Sequence, residues 1–174
     1  MNAKIAVVLS LIACVINCVG LAIPYWLVAS KDEAGLSISV NSGIWLVCYH
    51  GVIYGLQVDK CNSYDDPKIL TVPNNILQVR YIEITASILM FASTIWGFNP
   101  PNANTKPPGV ICIIAGILAL VGCILFATNS DIKTLVTAEG TDYHEHAGFA
   151  LCIIAGVFSL VSGVLYMIVK NDTP

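Results

Sequence analysis

Four apolar segments constrain this chain more than any other feature of its sequence. They cover residues 5–23, 81–98, 109–127 and 147–169, and each reaches or approaches the roughly 18 to 20 residues that a helix needs to cross a bilayer. Hydrophobic residues make up 56% of the chain and charged residues 11%, whereas a soluble domain carries about 25% charged residues. We therefore predict one domain of residues 1–174, an all-α four-helix transmembrane bundle.

The order of the spans fixes which loops share a side of the membrane. Loops 24–80 and 128–146 lie together, and loop 99–108 and tail 170–174 lie on the side of the two termini. Lysine and arginine are denser on the side of the termini, so we predict that both ends are cytoplasmic and that the protein is a multi-pass plasma-membrane protein. The alternative is a cleaved signal peptide ending near Cys18-Val19-Gly20, which would leave three spans.

Acidic residues are concentrated in the two loops that we place outside the cell. These loops hold nine of the eleven aspartates and glutamates. Such a surface attracts cations, and it disfavours nucleic acid and anionic lipid surfaces as partners.

The first long loop has the pattern of a small antiparallel sheet. Leu36, Ile38 and Val40 alternate with serines, and Asn41-Ser42-Gly43 is typical of a turn before the β-rich run 44–49. A second turn is predicted at His50-Gly51, before a further run over 52–58.

Of the seven cysteines, only Cys48 and Cys61 lie outside the spans. Twelve residues separate them, which suits two neighbouring strands, and outside the cell a disulfide is favoured. The alternative is two free thiols that pack a small core. The other five are expected to be small packing residues, with Cys112 as a candidate for palmitoylation.

Small residues recur at every fourth position in three spans, as in helices that pack closely in lipid. These stripes are Ser10, Cys14, Cys18 and Ala22, then Ala115, Ala119 and Cys123, then Ala155, Ser159 and Gly163.

Polar groups in the spans are few. Glu83 follows Arg80 by three residues, so the two could form an anchoring ion pair on one helix face, with ion conduction as the alternative role. Asn17 is interpreted as an interhelical hydrogen-bonding group.

No motif for catalysis, phosphate binding or cofactor binding is present, so we predict neither an enzyme nor a cofactor. A cluster of Asp142, His144, Glu145 and His146 could be a metal site. Two imidazoles with loosely spaced carboxylates are a weak signal, and the interpretation as a solvated loop edge is favoured, with no metal.

One constellation of residues resembles the claudin family, within the superfamily that includes the peripheral myelin protein group. Claudins carry a Trp, then Gly-Leu-Trp, two residues and Cys, then a second Cys. Here the matching residues are Trp26, Gly43-Ile44-Trp45, Cys48 and Cys61, followed by Tyr64, Asp65 and the Arg80 that ends Leu77-Gln78-Val79-Arg80.

This resemblance implies a claudin-like bundle with a small extracellular β-sheet at a cell-cell junction. The chain would polymerise with itself in cis, contact claudin-like proteins in trans, and form a paracellular barrier or a cation-preferring channel. Asp59, Asp65 and Asp66 are the candidate ion-selectivity residues. The terminus Asp172-Thr173-Pro174 lacks the PDZ-binding motif usual in claudins, which puts a PDZ scaffold in doubt. The alternative function is an auxiliary subunit of a membrane channel or receptor.

Overall fold

A computed structural model describes residues 3–33, 36–64, 74–98, 105–128 and 142–169. Its helices are α1 (Ala3–Ala22), α2 (Asn74–Phe98), α3 (Lys106–Thr128) and α4 (Ala147–Ile168). Its strands are β1 (Leu27–Glu33), β2 (Leu36–Ser42), β3 (Leu46–Ile53), β4 (Leu56–Ser63) and β5 (Asp142–Glu145). The strand β5 lies between α3 and α4 in the chain.

All four predicted spans are helices that are long and apolar enough to cross a membrane. The main difference in bounds concerns α2, which begins at Asn74, seven residues before the predicted span at 81. The longer helix includes Arg80, which the sequence had placed in the loop. Likewise α3 begins at Lys106, three residues before its predicted span.

The helices form a bundle in which each helix packs on the next one in the chain. The helix α1 packs on α2 and α4, and α3 packs on the same two helices. α1 therefore forms one side of the four-helix bundle, as is expected of a membrane-spanning helix.

The predicted stripes of small residues are buried on α3 and α4 and half buried on α1. Every stripe residue of α3 and α4 is buried, whereas on α1 Cys18 and Ala22 are exposed. The buried face of α1 instead follows Ser10, Ala13 and Asn17. A strict spacing of four drifts off one face of a 3.6-residue helix, which explains the error on α1.

The backbones of α3 and α4 approach each other closely at Gly116 and Gly156, and again at Gly109 and Gly163. A Cβ atom added to Gly116 would lie 2.7 Å from the carbonyl oxygen of Gly156, and one added to Gly156 would lie 3.2 Å from that of Gly116. Lipid gives no hydrophobic drive for helices to associate, so close packing of this kind supplies much of the attraction.

We predict that Gly116→Leu destabilises the bundle by about 1–3 kcal/mol, because the new side chain must push the two helices apart. Thermal unfolding of the protein in detergent measures this loss. Ile117→Leu is the matched control, since it places the same side chain at an exposed position and should change stability by less than about 0.5 kcal/mol. Equal melting temperatures for the two variants would show that the glycine contact does not matter.

The five strands form one antiparallel sheet in the order β4-β3-β2-β1-β5. The predicted strands β2 and β3 are present, whereas the predicted run over 52–58 is divided by a turn between β3 and β4. The strands β1 and β5 were not predicted. The predicted turn at His50-Gly51 is wrong, because both residues lie inside β3. The chain turns instead at Tyr54 and Gly55, which have φ values of 48° and 83°.

The sheet lies at one end of the bundle, where α1 and α3 end and α2 and α4 begin. Its apolar side joins a core cluster with residues from these helix ends, including Leu21, Val79 and Phe126. From the sheet, this core includes Leu27, Ala29 and Val47. The sheet is therefore packed onto the helices and is not a separate unit.

Candidate functional site

A disulfide links the edge strand β4 to its neighbour β3. Cys48 on β3 and Cys61 on β4 lie directly opposite each other in the register and are bonded, which confirms the predicted pair. His50 lies beside the same sulfurs, but bonded sulfurs cannot act as thiolate ligands, so this group is not a metal site.

The register gives the sheet two chemically different faces, because residues opposite each other in neighbouring strands point to the same side. One face packs on the bundle. The other, here called the polar face, carries mainly polar residues together with three apolar ones, Val28, Leu46 and Val52. Its polar residues and its disulfide are Ser30, Asp32, Ser37, Ser39, Asn41, Cys48, His50, Gln57, Asp59, Cys61 and Ser63. The pattern is that of a sheet packed on a core by one side and solvated on the other.

The candidate selectivity residue Asp59 lies on the polar face, on the edge strand β4. Its side chain is 67% exposed, and its Oδ1 lies 2.8 Å from Nδ1 of His50, the residue opposite it on β3. The other two candidates, Asp65 and Asp66, lie outside the described residues. The cross-strand histidine was not predicted, because the sequence placed it in a turn.

Trp26 of the family motif is fully buried at the junction of sheet and bundle. Its indole Nε1–H donates to the carbonyl oxygen of Gly20 at 2.7 Å. The ring packs edge-on against Phe126 of α3 and Phe149 of α4, with centroid distances of 4.9 and 6.3 Å. This tryptophan therefore positions the sheet, and it is not available to bind a partner.

The Gly43-Ile44-Trp45 segment is held to α2 by Arg80. The Arg80 Nε–H donates to the carbonyl oxygen of Ile44 at 2.6 Å, and its guanidinium lies 4.8 Å from the centre of the Trp45 ring. A cation above an indole face contributes about 0.5–2 kcal/mol. The motif arginine thus fixes the turn between β2 and β3 to the start of a membrane helix.

Tyr64 completes this junction. Its ring is buried, and its hydroxyl shares a 2.6 Å hydrogen bond with the hydroxyl of Ser42. Burial raises the pKa of this phenol above its ordinary value, so it stays neutral at physiological pH. The motif residues Trp26, Ile44, Tyr64 and Arg80 are thus mainly structural.

The β3–β4 turn carries an exposed apolar tip that the sequence analysis missed. Tyr54 is 85% exposed and Leu56 is 74% exposed. The signal that could have found it is the Tyr54-Gly55 pair itself, since glycine readily adopts the positive φ of a two-residue hairpin turn.

The second loop contributes β5, which pairs with β1. The rings of His144 and His146 lie 5.9 Å apart, centre to centre, and are exposed. Among the described residues, no third ligand converges on them to form a group of three.

Cys112 is fully buried in α3, and its thiol contacts the hydroxyl groups of Ser10 on α1 and Ser93 on α2, at 3.3 and 3.0 Å. An acyl chain has no access to this thiol, so the structure does not support palmitoylation there.

Comparison with models of known protein families and with curated proteins finds no match to this chain. What the fold and the site define is a class of protein. It is a multi-pass membrane protein whose four helices carry a disulfide-linked antiparallel sheet at one end.

We predict that replacing both Cys48 and Cys61 by alanine destabilises the sheet by about 3 kcal/mol, because the bond closes a loop of thirteen residues in the unfolded chain. Faster limited proteolysis within residues 24–64 would report the loss. Cys18→Ala, which removes an exposed thiol on α1, is the control and should leave the cleavage rate unchanged. Alkylation of Cys48 and Cys61 in unreduced wild-type protein would contradict the link.

Proposed function

We propose that this chain is a claudin-like junction protein that assembles in the plasma membrane and forms a paracellular barrier or a cation-preferring channel. The observation that carries the proposal is the disulfide-linked sheet on a four-helix bundle, with an exposed apolar tip and a polar face. In this proposal both termini are cytoplasmic and the sheet faces the intercellular space.

The hairpin tip supports a role in contact with another cell. Tyr54 and Leu56 lie about 23 Å along the strand from the start of β3 at the bundle junction. Exposed tyrosine and leucine side chains at one hairpin turn are typical of a surface that another protein covers. We assign this tip to contact in trans.

The outer edge of the sheet supports assembly between copies. Among the described residues, β4 pairs only with β3, so its second side offers backbone donors and acceptors to another strand. Asp59 and Lys60 lie on this edge, and charges there disfavour indiscriminate pairing. Lateral assembly in cis would use this edge or the exposed faces of the helices.

Charge supports a preference for cations. Asp59 is exposed on the polar face, between Gln57 and Cys61 on β4 and opposite His50 on β3. Acidic residues dominate the loops that we place outside. A surface of this sign raises the local concentration of cations.

The alternative function is that of an auxiliary subunit, which would bind a channel or receptor in its own membrane through the same sheet. Expression in cells that lack junctions separates the two functions. Continuous strands at cell contacts, seen by freeze-fracture, support the junctional proposal. Isolated particles together with co-purification of a channel support the alternative function.

We predict that Tyr54→Ser with Leu56→Ser reduces strands at contacts between such cells, because the tip loses the apolar surface that a facing molecule would cover. Freeze-fracture counts the strands, and surface biotinylation checks that the variant reaches the membrane. Tyr54→Phe with Leu56→Met, which keeps the apolar surface of the tip, is the control and should leave the strand density unchanged. Unchanged strand density in the tip variant would remove the tip from the contact.

We predict that Asp59→Lys lowers the sodium-to-chloride permeability ratio of cell monolayers severalfold, because it reverses the charge at this point of the polar face. Dilution potentials measure the ratio. Asp32→Lys makes the same change of charge on β1, three strands away in the sheet, and should have a smaller effect. An equal ratio for wild type and Asp59→Lys would exclude Asp59 from the ion path.

A further inference from the structure

The described part of the bundle contains one acidic side chain, Glu83 of α2, and it is fully buried. Its Oε2 receives a hydrogen bond from the amide Nδ2 of Asn17 at 3.4 Å, and its Oε1 receives one from the thiol of Cys123 at 3.8 Å. Both donors are uncharged, and the amide contact is longer than a strong hydrogen bond. A buried carboxylate is stable when it is paired or coordinates a metal ion, and these two contacts compensate its charge weakly.

A second polar group without a full set of hydrogen bonds lies beside Glu83. Asn17 of α1 is also fully buried, and its Oδ1 has no hydrogen-bond partner. The other branch of the same amide, Nδ2, contacts both Glu83 and the hydroxyl oxygen of Ser87, the latter at 2.9 Å. A buried acceptor without a donor costs about 1–3 kcal/mol. The carboxylate thus lacks a positive partner, and the amide oxygen, on the branch that does not contact Glu83, lacks a hydrogen-bond donor.

The predicted ion pair does not supply this partner. Arg80 lies one turn before Glu83 on α2 and extends toward the sheet, where it bonds to Ile44 and stacks on Trp45. The carboxyl of Glu83 lies instead toward α1 and α3, beside Asn17 and Cys123.

We propose that Glu83, Asn17 and Ser87 form a binding site for a small monovalent cation, of the class of Na⁺, between α1 and α2. Carboxylate, amide and hydroxyl oxygens are the ligands that hard cations prefer. One formal negative charge is balanced by a single positive charge, whereas a divalent ion would leave the interior with a net charge. Rotation of the Asn17 amide by half a turn places its oxygen where its nitrogen now contacts both Glu83 and Ser87.

The size of the ion follows from the packing around the carboxyl. Gly122 of α3 lies so close to Glu83 that even a Cβ atom at this position would collide with the carboxyl group. This packing leaves little room for an ion that keeps its hydration shell, so only a small, dehydrated ion is compatible with it.

The test uses the complete chain, purified in detergent in a buffer whose only cation is choline. Titration with NaCl, at an ionic strength held constant with choline chloride, should raise the melting temperature by about 3 °C for each tenfold increase in Na⁺ above the dissociation constant. Li⁺ should substitute for Na⁺, and K⁺ should be weaker. Because this comparison needs only the wild-type protein, it does not depend on whether a variant folds.

The matched variant is Glu83→Gln, which keeps the shape of the side chain and removes the charge. Its melting temperature should not respond to Na⁺, and Ser87→Ala should need a severalfold higher Na⁺ concentration than wild type for the same shift. Equal melting of the wild type in Na⁺ and choline would overturn the site, and it would mean that a neutral Glu83 carboxyl simply hydrogen-bonds to Asn17. An equal rise in Glu83→Gln would overturn it as well, since the ion would then act elsewhere. Both measurements are independent of the proposed junctional function.

Discussion

Trp26 connects the sheet to the helix bundle through three hydrogen bonds and two ring contacts. Its backbone N–H donates to the carbonyl oxygen of Ser42 on β2, and its own carbonyl oxygen accepts from the N–H of His146, which precedes α4. Its indole N–H donates to the last turn of α1, and its ring packs on Phe126 and on α4. Because these partners come from different elements, the sheet cannot turn on the bundle without breaking several buried contacts at once. The position of the polar face relative to the helices follows from this junction.

How much of this could be read from the sequence depends on how local each signal is. The spans, β2 and the disulfide depend on apolar length, alternation and the placement of cysteines, and these signals need no knowledge of the rest of the fold. The strand β1 contains Lys31-Asp32-Glu33, and β5 has only four residues, so neither has a strand pattern of its own. β1 becomes a strand because it pairs with β2 and β5, and β5 because it pairs with β1.

Gly51 illustrates a different limit. In the sequence, a glycine after a histidine indicates a turn, but in the structure Gly51 continues β3. A Cβ atom there would collide with the backbone of Ser37 and Ile38 on β2. The glycine is thus needed for a close approach between two strands, and a single sequence does not distinguish that need from the need for a turn. The same holds for Glu83, whose position in a span marks it as unusual, although its partner Asn17 lies 66 residues earlier.

Most of the exposed apolar side chains of this protein fall into two groups with different explanations, and Tyr25, Val52 and Tyr143 lie outside both. On the helices, residues such as Val15, Ile88 and Ile124 face outward, where in a membrane they would contact lipid that is as apolar as they are. Tyr54 and Leu56 have no such explanation, because they lie on a hairpin at the far end of a sheet whose outer face is polar. In water their exposure costs free energy that another protein surface would recover. This contrast, more than any single motif residue, is what directs the proposed function toward contact between molecules, since the motif residues themselves are buried at the junction.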